Sequence, residues 1–129
     1  MKNILIIGCG LLGSSLLRKI KKKKIAKKIY IYEKSKVNIS KIKKLKLPGT
    51  IVNKLQDAVI KSDLIILCAP MSEYKNLILK MNKFLSPKTI ITDIGSSKLE
   101  SSKIIKKFLR KDISWISSHP ISGSEVSGP

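Results

Sequence analysis

Hydrophobic residues along the chain form short apolar runs, and stretches with helical periodicity separate these runs. The runs predict six strands, at residues 3–7, 28–32, 50–53, 64–69, 89–93 and 113–117. The stretches between them predict helices at 11–22, 37–47, 55–62, 72–85 and 97–111. The helix at 72–85 has one apolar face, made by Leu77, Ile78, Met81, Phe84 and Leu85.

Most of the predicted strands are apolar on both faces, and they alternate with helices. This pattern is typical of a parallel sheet that is covered on both sides. Crossovers between parallel strands are right-handed, so six such strands predict the order 3-2-1-4-5-6. The sequence therefore predicts an α/β fold with a doubly wound parallel sheet of the Rossmann type, formed by one domain over residues 1–129.

The charge of the chain is strongly basic, with 27 Lys and Arg against 8 Asp and Glu and a net charge of +19. Only Arg18 and Arg110 are arginines, and no aromatic residues interleave with the lysines. Base readout depends heavily on arginine and on stacking, so we expect weak polyanion binding but no specific nucleic-acid partner. No stretch approaches the roughly 18 apolar residues of a membrane span, so no membrane partner is expected.

The two cysteines, Cys9 and Cys68, both lie in apolar, strand-like contexts. This placement disfavours a disulfide framework and favours a reducing, cytoplasmic location. Too few apolar residues precede Cys9 for a secretory signal.

A glycine-rich turn joins the first predicted strand to the first helix. Its sequence, Gly8-Cys9-Gly10-Leu11-Leu12-Gly13, matches the dinucleotide-binding pattern G-x-G-x-x-G. Gly8 permits the tight turn, Gly10 lets backbone approach a pyrophosphate at the helix start, and Gly13 lets the helix pack closely on the strand. The alternative is a tight turn that binds nothing. The context favours a cofactor site at Gly8, Gly10, Leu11, Leu12 and Gly13.

Glu33 ends the second predicted strand, 20 residues after Gly13. An acid there accepts hydrogen bonds from the ribose hydroxyls and repels a 2′-phosphate, which favours NAD over NADP. Lys34, Ser35 and Lys36 follow at once and offer an alternative, a 2′-phosphate site. A second alternative is that Glu33 is only a solvated acid at the end of a strand.

Three further candidate residues follow predicted strands at the carboxyl edge of the sheet, where ligands bind in such folds. Pro70 follows the fourth strand, Ser96 the fifth, and His119, the only histidine, the sixth. The imidazole of His119 can accept a proton from a substrate hydroxyl as hydride leaves the adjacent carbon. Ser96 either orients that group or caps the next helix. Glu125 is either a loop anchor or a gate, and no metal site is predicted.

Four motifs occur in an order that resembles the prephenate dehydrogenase family, which includes arogenate dehydrogenases. They are residues 8–16, GCGLLGSSL; 63–70, DLIILCAP; 92–98, TDIGSSK; and 119–125, HPISGSE. The last two are far more specific than the glycine loop. The resemblance implies oxidative decarboxylation of prephenate to 4-hydroxyphenylpyruvate in tyrosine biosynthesis, with NAD as the cofactor. It also assigns catalytic roles to His119, which hydrogen-bonds the ring hydroxyl and assists hydride transfer, to Ser96 near the nicotinamide and substrate, and to the motif glutamate Glu125.

The family pattern continues into a C-terminal helical domain that forms the homodimer and supplies an arginine for a substrate carboxylate. Nothing here corresponds to that domain, so we expect a chain truncated before it. Arg18 and Arg110 fall late in their predicted helices, at the sheet edge opposite the site, and cannot replace that arginine. We therefore expect the isolated chain to be poorly active or inactive.

Three other functions stay open at this stage. The first is an arogenate dehydrogenase, whose substrate is arogenate rather than prephenate. The second is a nonenzymatic NAD-binding regulatory module. The third is a dehydrogenase for another small acid, such as a 3-hydroxy acid. His119-Pro120 and the small residues after them argue against the third, because those enzymes commonly use a lysine base.

Overall fold

The computed structural model describes residues 3–94 and 98–117. Within these ranges, six parallel strands form one sheet in the order β3-β2-β1-β4-β5-β6, which confirms the predicted order and fold class. The strands are β1 Asn3–Ile7, β2 Lys28–Tyr32, β3 Thr50–Ile51, β4 Leu64–Leu67, β5 Ile90–Asp93 and β6 Ser114–Ser117. All six predicted strands are present, although four are shorter than predicted.

The sheet is covered on both faces, as its strand sequences require. Alternate residues of β1 show this directly, because Leu5 and Ile7 belong to one apolar cluster while Ile4 and Ile6 belong to the other. Helices α3 (Leu55–Lys61), α4 (Tyr74–Met81) and α5 (Lys98–Phe108) contribute to the first cluster. Helices α1 (Leu11–Lys22) and α2 (Lys36–Lys44) contribute to the second.

The single helix predicted at 72–85 is wrong at both ends. The structure has a 3₁₀ turn at Met71–Glu73, then α4, then a second 3₁₀ turn at Asn82–Phe84. The apolar face is nevertheless the predicted one, with Leu77, Ile78, Met81 and Leu85 buried. The side chain of Asn82, the first residue after α4, links this end to the end of α5, since it donates to Phe108 O at 2.8 Å and accepts from Arg110 N at 3.2 Å.

Helix α2 also ends earlier than predicted, at Lys44 rather than at residue 47. The N–H of Lys46 bonds to Lys43 O, and the N–H of Leu47 bonds to Ile42 O. Lys46 itself has a left-handed backbone, with φ of 51°. These bonds form a Schellman motif, which uses the last helical carbonyls to stop the helix.

Within residues 3–94 and 98–117, no helix combines the length and apolar character needed to cross a membrane.

Candidate nucleotide-binding site

An open cleft of about 680 Å³ lies at the carboxyl edge of the sheet, where β1, β2 and β4 end. Its walls come from the glycine loop, the segment after β2 and the segment after β4. Of the residues predicted to bind cofactor, the cleft is lined by Gly8, Gly10, Glu33 and Pro70. The other described lining residues are Ile7, Cys9, Tyr32, Lys34, Ser35, Asn38, Cys68, Ala69, Met71, Glu73, Leu77 and Ile94.

The three glycines of the loop are needed for different reasons. Gly8 has a φ of +88°, and a Cβ there would lie 2.8 Å from the backbone N and Cα of Ala69. A Cβ on Gly13 would lie 2.6 Å from the carbonyl oxygen of Gly8. A Cβ on Gly10 would meet no described atom within 4 Å. The protein's own packing therefore explains Gly8 and Gly13, whereas Gly10 leaves open space for a ligand to approach the backbone.

The start of α1 faces this open space. Gly10 is the N-cap residue and provides no side-chain cap, and the first turn contains no acidic residue. An uncapped helix start presents backbone N–H groups and a partial positive charge, which suit a phosphate. Leu11 and Leu12 begin the helix, so their backbone lies where the pattern predicts cofactor contact. A dinucleotide pyrophosphate fits this donor set.

Glu33 is held against the glycine loop. Its Oε1 accepts a hydrogen bond from the backbone N of Cys9 at 2.6 Å and from Asn38 Nδ2 at 3.3 Å. Its Oε2 accepts from the backbone N of Ser35 at 3.0 Å. These bonds fix the carboxylate beside the phosphate end of the cleft, which disfavours the alternative of a merely solvated acid.

Two of the three residues after Glu33, Lys34 and Ser35, take part in other interactions. Lys34 Nζ lies 3.6 Å from Glu73 Oε1 across the cleft. The hydroxyl of Ser35 caps α2 by accepting from Asn38 N at 3.2 Å. Lys36 begins α2 and is exposed. The sequence did not predict that Ser35 and Asn38 hold Glu33. A serine near the start of a predicted helix is nevertheless a recognisable N-cap signal.

Both cysteines line the cleft as free thiols. Burial, with smaller contributions from the neighbouring Cys9 and Asp93, raises the pKa of Cys68 to about 12. Burial also raises the pKa of Cys9; the Ser14 hydroxyl, 3.6 Å from its sulfur, opposes that rise, while Glu33 adds to it. Both side chains are therefore neutral thiols at pH 7, and they contribute a small, uncharged wall.

A buried carboxylate at the end of β5 was not predicted to have a role. Asp93 is only 3% exposed, and it accepts hydrogen bonds from Tyr74 Oη at 3.2 Å and from Trp115 Nε1 at 3.2 Å. It thereby links α4 and β6 to the strand that leads towards Ser96. Trp115 packs against the core.

Three predicted catalytic residues, Ser96, His119 and Glu125, lie outside the described residues. The strands that lead to the first two are adjacent and parallel, with Asp93 paired to Ser117. The two strands therefore end at the same edge of the sheet. Among the described residues, no three His, Cys, Asp or Glu side chains are grouped so that they could hold a metal ion.

Arg110 lies in the turn between α5 and β6, two residues after the helix ends. Its Nη1 donates to the carbonyl oxygens of Asn82 at 2.6 Å and Leu85 at 2.8 Å, and its Nη2 lies 2.6 Å from Asp112 Oδ2. The turn precedes β6, so this arginine lies at the amino edge of the sheet, opposite the cleft. Its predicted place at that edge is confirmed, and its predicted place within the helix is wrong. Arg18 is exposed on α1.

Comparison with known families assigns the chain. Residues 16–129 match the family model described as prephenate dehydrogenase, nucleotide-binding domain. The chain belongs to the prephenate dehydrogenase family. The match begins after the glycine loop, so the loop geometry is an independent indication of nucleotide binding. The matched range, residues 16–129, includes the positions of Ser96, His119 and Glu125.

Relatives from three bacteria resemble nearly the whole chain. A cyclohexadienyl dehydrogenase of Zymomonas mobilis is 34% identical over 128 residues, covering 99% of this chain and 43% of the relative. A prephenate dehydrogenase of Lactococcus lactis is 35% identical over 133 residues, covering 99% and 36%. The crystal structure of Aquifex aeolicus prephenate dehydrogenase with hydroxyphenyl propionate and NAD+ superposes with a TM-score of 0.74 at 27% identity, covering 99% and 44%. The chain thus spans less than half the length of these relatives.

Proposed function

We propose that residues 1–129 form the NAD-binding domain of a prephenate dehydrogenase. The observation that carries this proposal is the cleft itself, in a chain of this family. The cleft combines the open space at Gly10, the uncapped start of α1 and the fixed carboxylate of Glu33. The cofactor of the Aquifex relative, NAD+, supports the choice of dinucleotide. The free thiols at Cys9 and Cys68 fit a reducing compartment, so we propose a cytoplasmic location.

In this proposal each part of the cofactor meets one part of the cleft. The pyrophosphate takes the N–H groups at Leu11 and Leu12, which approach it because Gly10 has no side chain. The ribose hydroxyls donate to Glu33, and Pro70 forms part of the opposite wall. Gly8 and Gly13 shape the loop that holds the pyrophosphate, and Gly8 also lines the cleft. Bound NAD supplies the nicotinamide ring that accepts hydride.

The catalytic residues of the proposal are His119, Ser96 and Glu125. As hydride leaves the ring carbon of prephenate for the nicotinamide, the hydroxyl on that carbon passes its proton to His119. Carbon dioxide then leaves, the electrons of the broken bond stay in the ring, and the ring becomes an aromatic phenolate. His119 returns the proton to the phenolate oxygen, which gives the hydroxyl group of the product. Ser96 orients the imidazole or the substrate, and Glu125 anchors or gates the loop. Aromatisation supplies the driving force, so the protein mainly positions the reactants. NAD is proposed as the cofactor over NADP because the carboxylate of Glu33 repels a 2′-phosphate.

The cofactor part of the proposal is tested on the chain itself. NADH absorbs where tryptophan emits, so energy transfer from Trp115, the single tryptophan, reports its binding. We expect saturable NADH binding, and we expect Glu33→Gln to weaken it about tenfold, since charge-assisted hydrogen bonds are lost. Asp57→Asn, an exposed acid on α3, is the matched control and should leave the affinity unchanged. A wild-type chain that binds no NADH would contradict the proposal.

The catalytic part is tested in a chimera, because the chain spans under half the length of its relatives. Residues 1–129 replace the matching part of the Zymomonas cyclohexadienyl dehydrogenase, and NADH formation is followed with prephenate and with arogenate separately. We expect turnover of prephenate that His119→Asn lowers at least a hundredfold, the usual weight of a general base. A folded chimera that binds NADH but turns over neither compound would favour a nonenzymatic NAD-binding module.

A further inference from the structure

Two oppositely charged side chains meet across the mouth of the cleft. Lys34 directly follows Glu33 after β2, and Glu73 ends the 3₁₀ turn after β4. Their Nζ and Oε1 atoms are 3.6 Å apart, and their side chains are 48% and 37% exposed. Both residues line the cleft. The pair therefore joins the two walls between which a cofactor would enter.

Lys34 is the cation that a 2′-phosphate would need. Among the described residues that line the cleft, it is the only lysine or arginine. Ser35 already accepts a hydrogen bond from the start of α2, and Lys36 is exposed outside the lining. Glu33, fixed by three donors, cannot turn away to relieve its repulsion of an added phosphate. Binding of NADP thus depends on whether Lys34 is available.

We propose that Glu73 determines cofactor specificity by engaging Lys34 and so withholding it from a 2′-phosphate. This inference rests on the proposed dinucleotide function of the same cleft. A 2′-phosphate would have to draw Lys34 away from Glu73 and would leave that carboxylate facing a second anion. NAD has no such group and leaves the pair intact. Glu73 is therefore a specificity residue that acts through Lys34.

The effect should be moderate in size. Exposed ion pairs contribute little to stability, and salt screens them, so Glu73 does not clamp the fold. Its removal should nevertheless free one full positive charge beside the ribose. We expect Glu73→Gln to tighten NADPH binding about three- to tenfold at low salt and to change NADH binding less than twofold.

The experiment measures NADH and NADPH dissociation constants by energy transfer from Trp115 in four proteins. These are the wild type, Glu73→Gln, Lys34→Met and the double variant. We expect Glu73→Gln to shift the affinity ratio towards NADPH, and we expect the double variant to behave like Lys34→Met alone. As a control, a fifth protein, Asp57→Asn, removes the same charge at an exposed residue that does not line the cleft, and it should leave the ratio unchanged. The gain should also shrink as salt is raised.

Each other outcome is decisive. NADH binding with an unchanged ratio in Glu73→Gln would overturn this inference and leave the proposed function standing. The same gain in the Lys34→Met background would show that Glu73 acts by direct repulsion, which also overturns it. Failure of the wild type to bind either nucleotide would overturn the proposed function and the inference together.

Discussion

At the scale of single residues, the glycines of the loop differ in whether the packing of the fold requires them. Gly8 and Gly13 are glycines because backbone atoms of Ala69 and of Gly8 occupy the space of a Cβ. Gly10 faces open space, and its φ of −81° is one that other residues adopt without strain. The same motif thus holds two glycines that the packing of the fold requires and one, Gly10, that the packing of the described residues does not require.

Alanine at Gly10 and at Gly13 should therefore have opposite consequences. Gly13→Ala forces a Cβ against a carbonyl oxygen, and we expect it to lower the free energy of unfolding by about 1–3 kcal/mol. Gly10→Ala should change stability by less than about 0.5 kcal/mol. It should nevertheless weaken NADH binding about tenfold or more, because the new methyl group keeps the pyrophosphate from the backbone. Urea unfolding and NADH titration of both variants measure these effects, and a stable Gly13→Ala protein would contradict the packing argument.

The raised pKa of Cys68 predicts a loss of stability at alkaline pH. The unfolded thiol loses its proton near its ordinary value of 9.0, whereas the folded thiol keeps it until about pH 12. The unfolded state therefore binds fewer protons across this window, and the contribution of Cys68 to stability, complete below pH 9, falls as the pH rises to 12. Between pH 8 and 10 the wild type should lose about 1 kcal/mol more than Cys68→Ala. Urea unfolding at both values gives the difference, and parallel losses in the two proteins would disprove it.

At the scale of secondary-structure elements, two helices end in the same way on an unusual residue. Helices α1 and α2 both finish in Schellman motifs, with N–H groups of Ile25 and Leu47 bonded to Ile20 O and Ile42 O. The left-handed position is Lys24 in one motif and Lys46 in the other, each with φ of 51°. Glycine is the usual residue there, because a side chain in the left-handed region costs energy.

Glycine at either left-handed position should stabilise the protein. Both lysines are exposed, so Lys24→Gly and Lys46→Gly remove strain and little packing. The relief of roughly 1–2 kcal/mol exceeds the entropic cost of glycine, and we expect a net gain of about 0.5 kcal/mol or more for each. Lys23→Gly is the matched control; its φ of −89° is ordinary, so glycine there should lower stability. Thermal unfolding ranks the three, and a loss in all of them would refute the strain argument.

At the scale of the whole molecule, one cluster of lysines lies at the edge of the sheet opposite the cofactor cleft. Five lysines, Lys21, Lys24, Lys27, Lys28 and Lys61, line an open cleft of about 770 Å³ at the amino edge of the sheet. The cofactor cleft at the carboxyl edge has Lys34 with Glu33 and Glu73 among its described lining residues. The net charge of +19 therefore gives the opposite edge a general attraction for anions.

We expect this charge to produce salt-sensitive polyanion binding without sequence preference. Unrelated DNA duplexes should bind with equal affinity at 50 mM salt and lose at least about tenfold in affinity by 200 mM, because binding releases counterions. Lys27→Gln with Lys28→Gln should reduce the salt dependence, whereas Lys34→Met should not. Electrophoretic mobility shifts measure all of these. A preference for one sequence that persists at 200 mM salt would contradict this prediction.

The strand order and the covered sheet followed from the sequence because they depend on short-range patterns. Runs such as Leu64–Leu67 are apolar at every position, and only a sheet buried on both faces accommodates them. The glycine spacing and the acid after β2 were also readable, since backbone approach and ribose contact require those residue types at those positions. The ends of the helices were harder to predict, because side chains there bond to residues distant in sequence. Asn82, directly after α4, bonds in this way to Phe108.

The sequence by itself determined the fold class, the strand order, the family and the edge of the sheet that carries the cleft. It did so because periodicity and glycine spacing act over a few residues at a time. Only the tertiary structure decided that Glu33 is fixed by Cys9 and Asn38, that Asp93 is buried between Tyr74 and Trp115, and that Lys34 meets Glu73. Most of these pairs are separated by 19 to 39 positions, and the sheet brings them together through parallel strands whose ends converge at one edge.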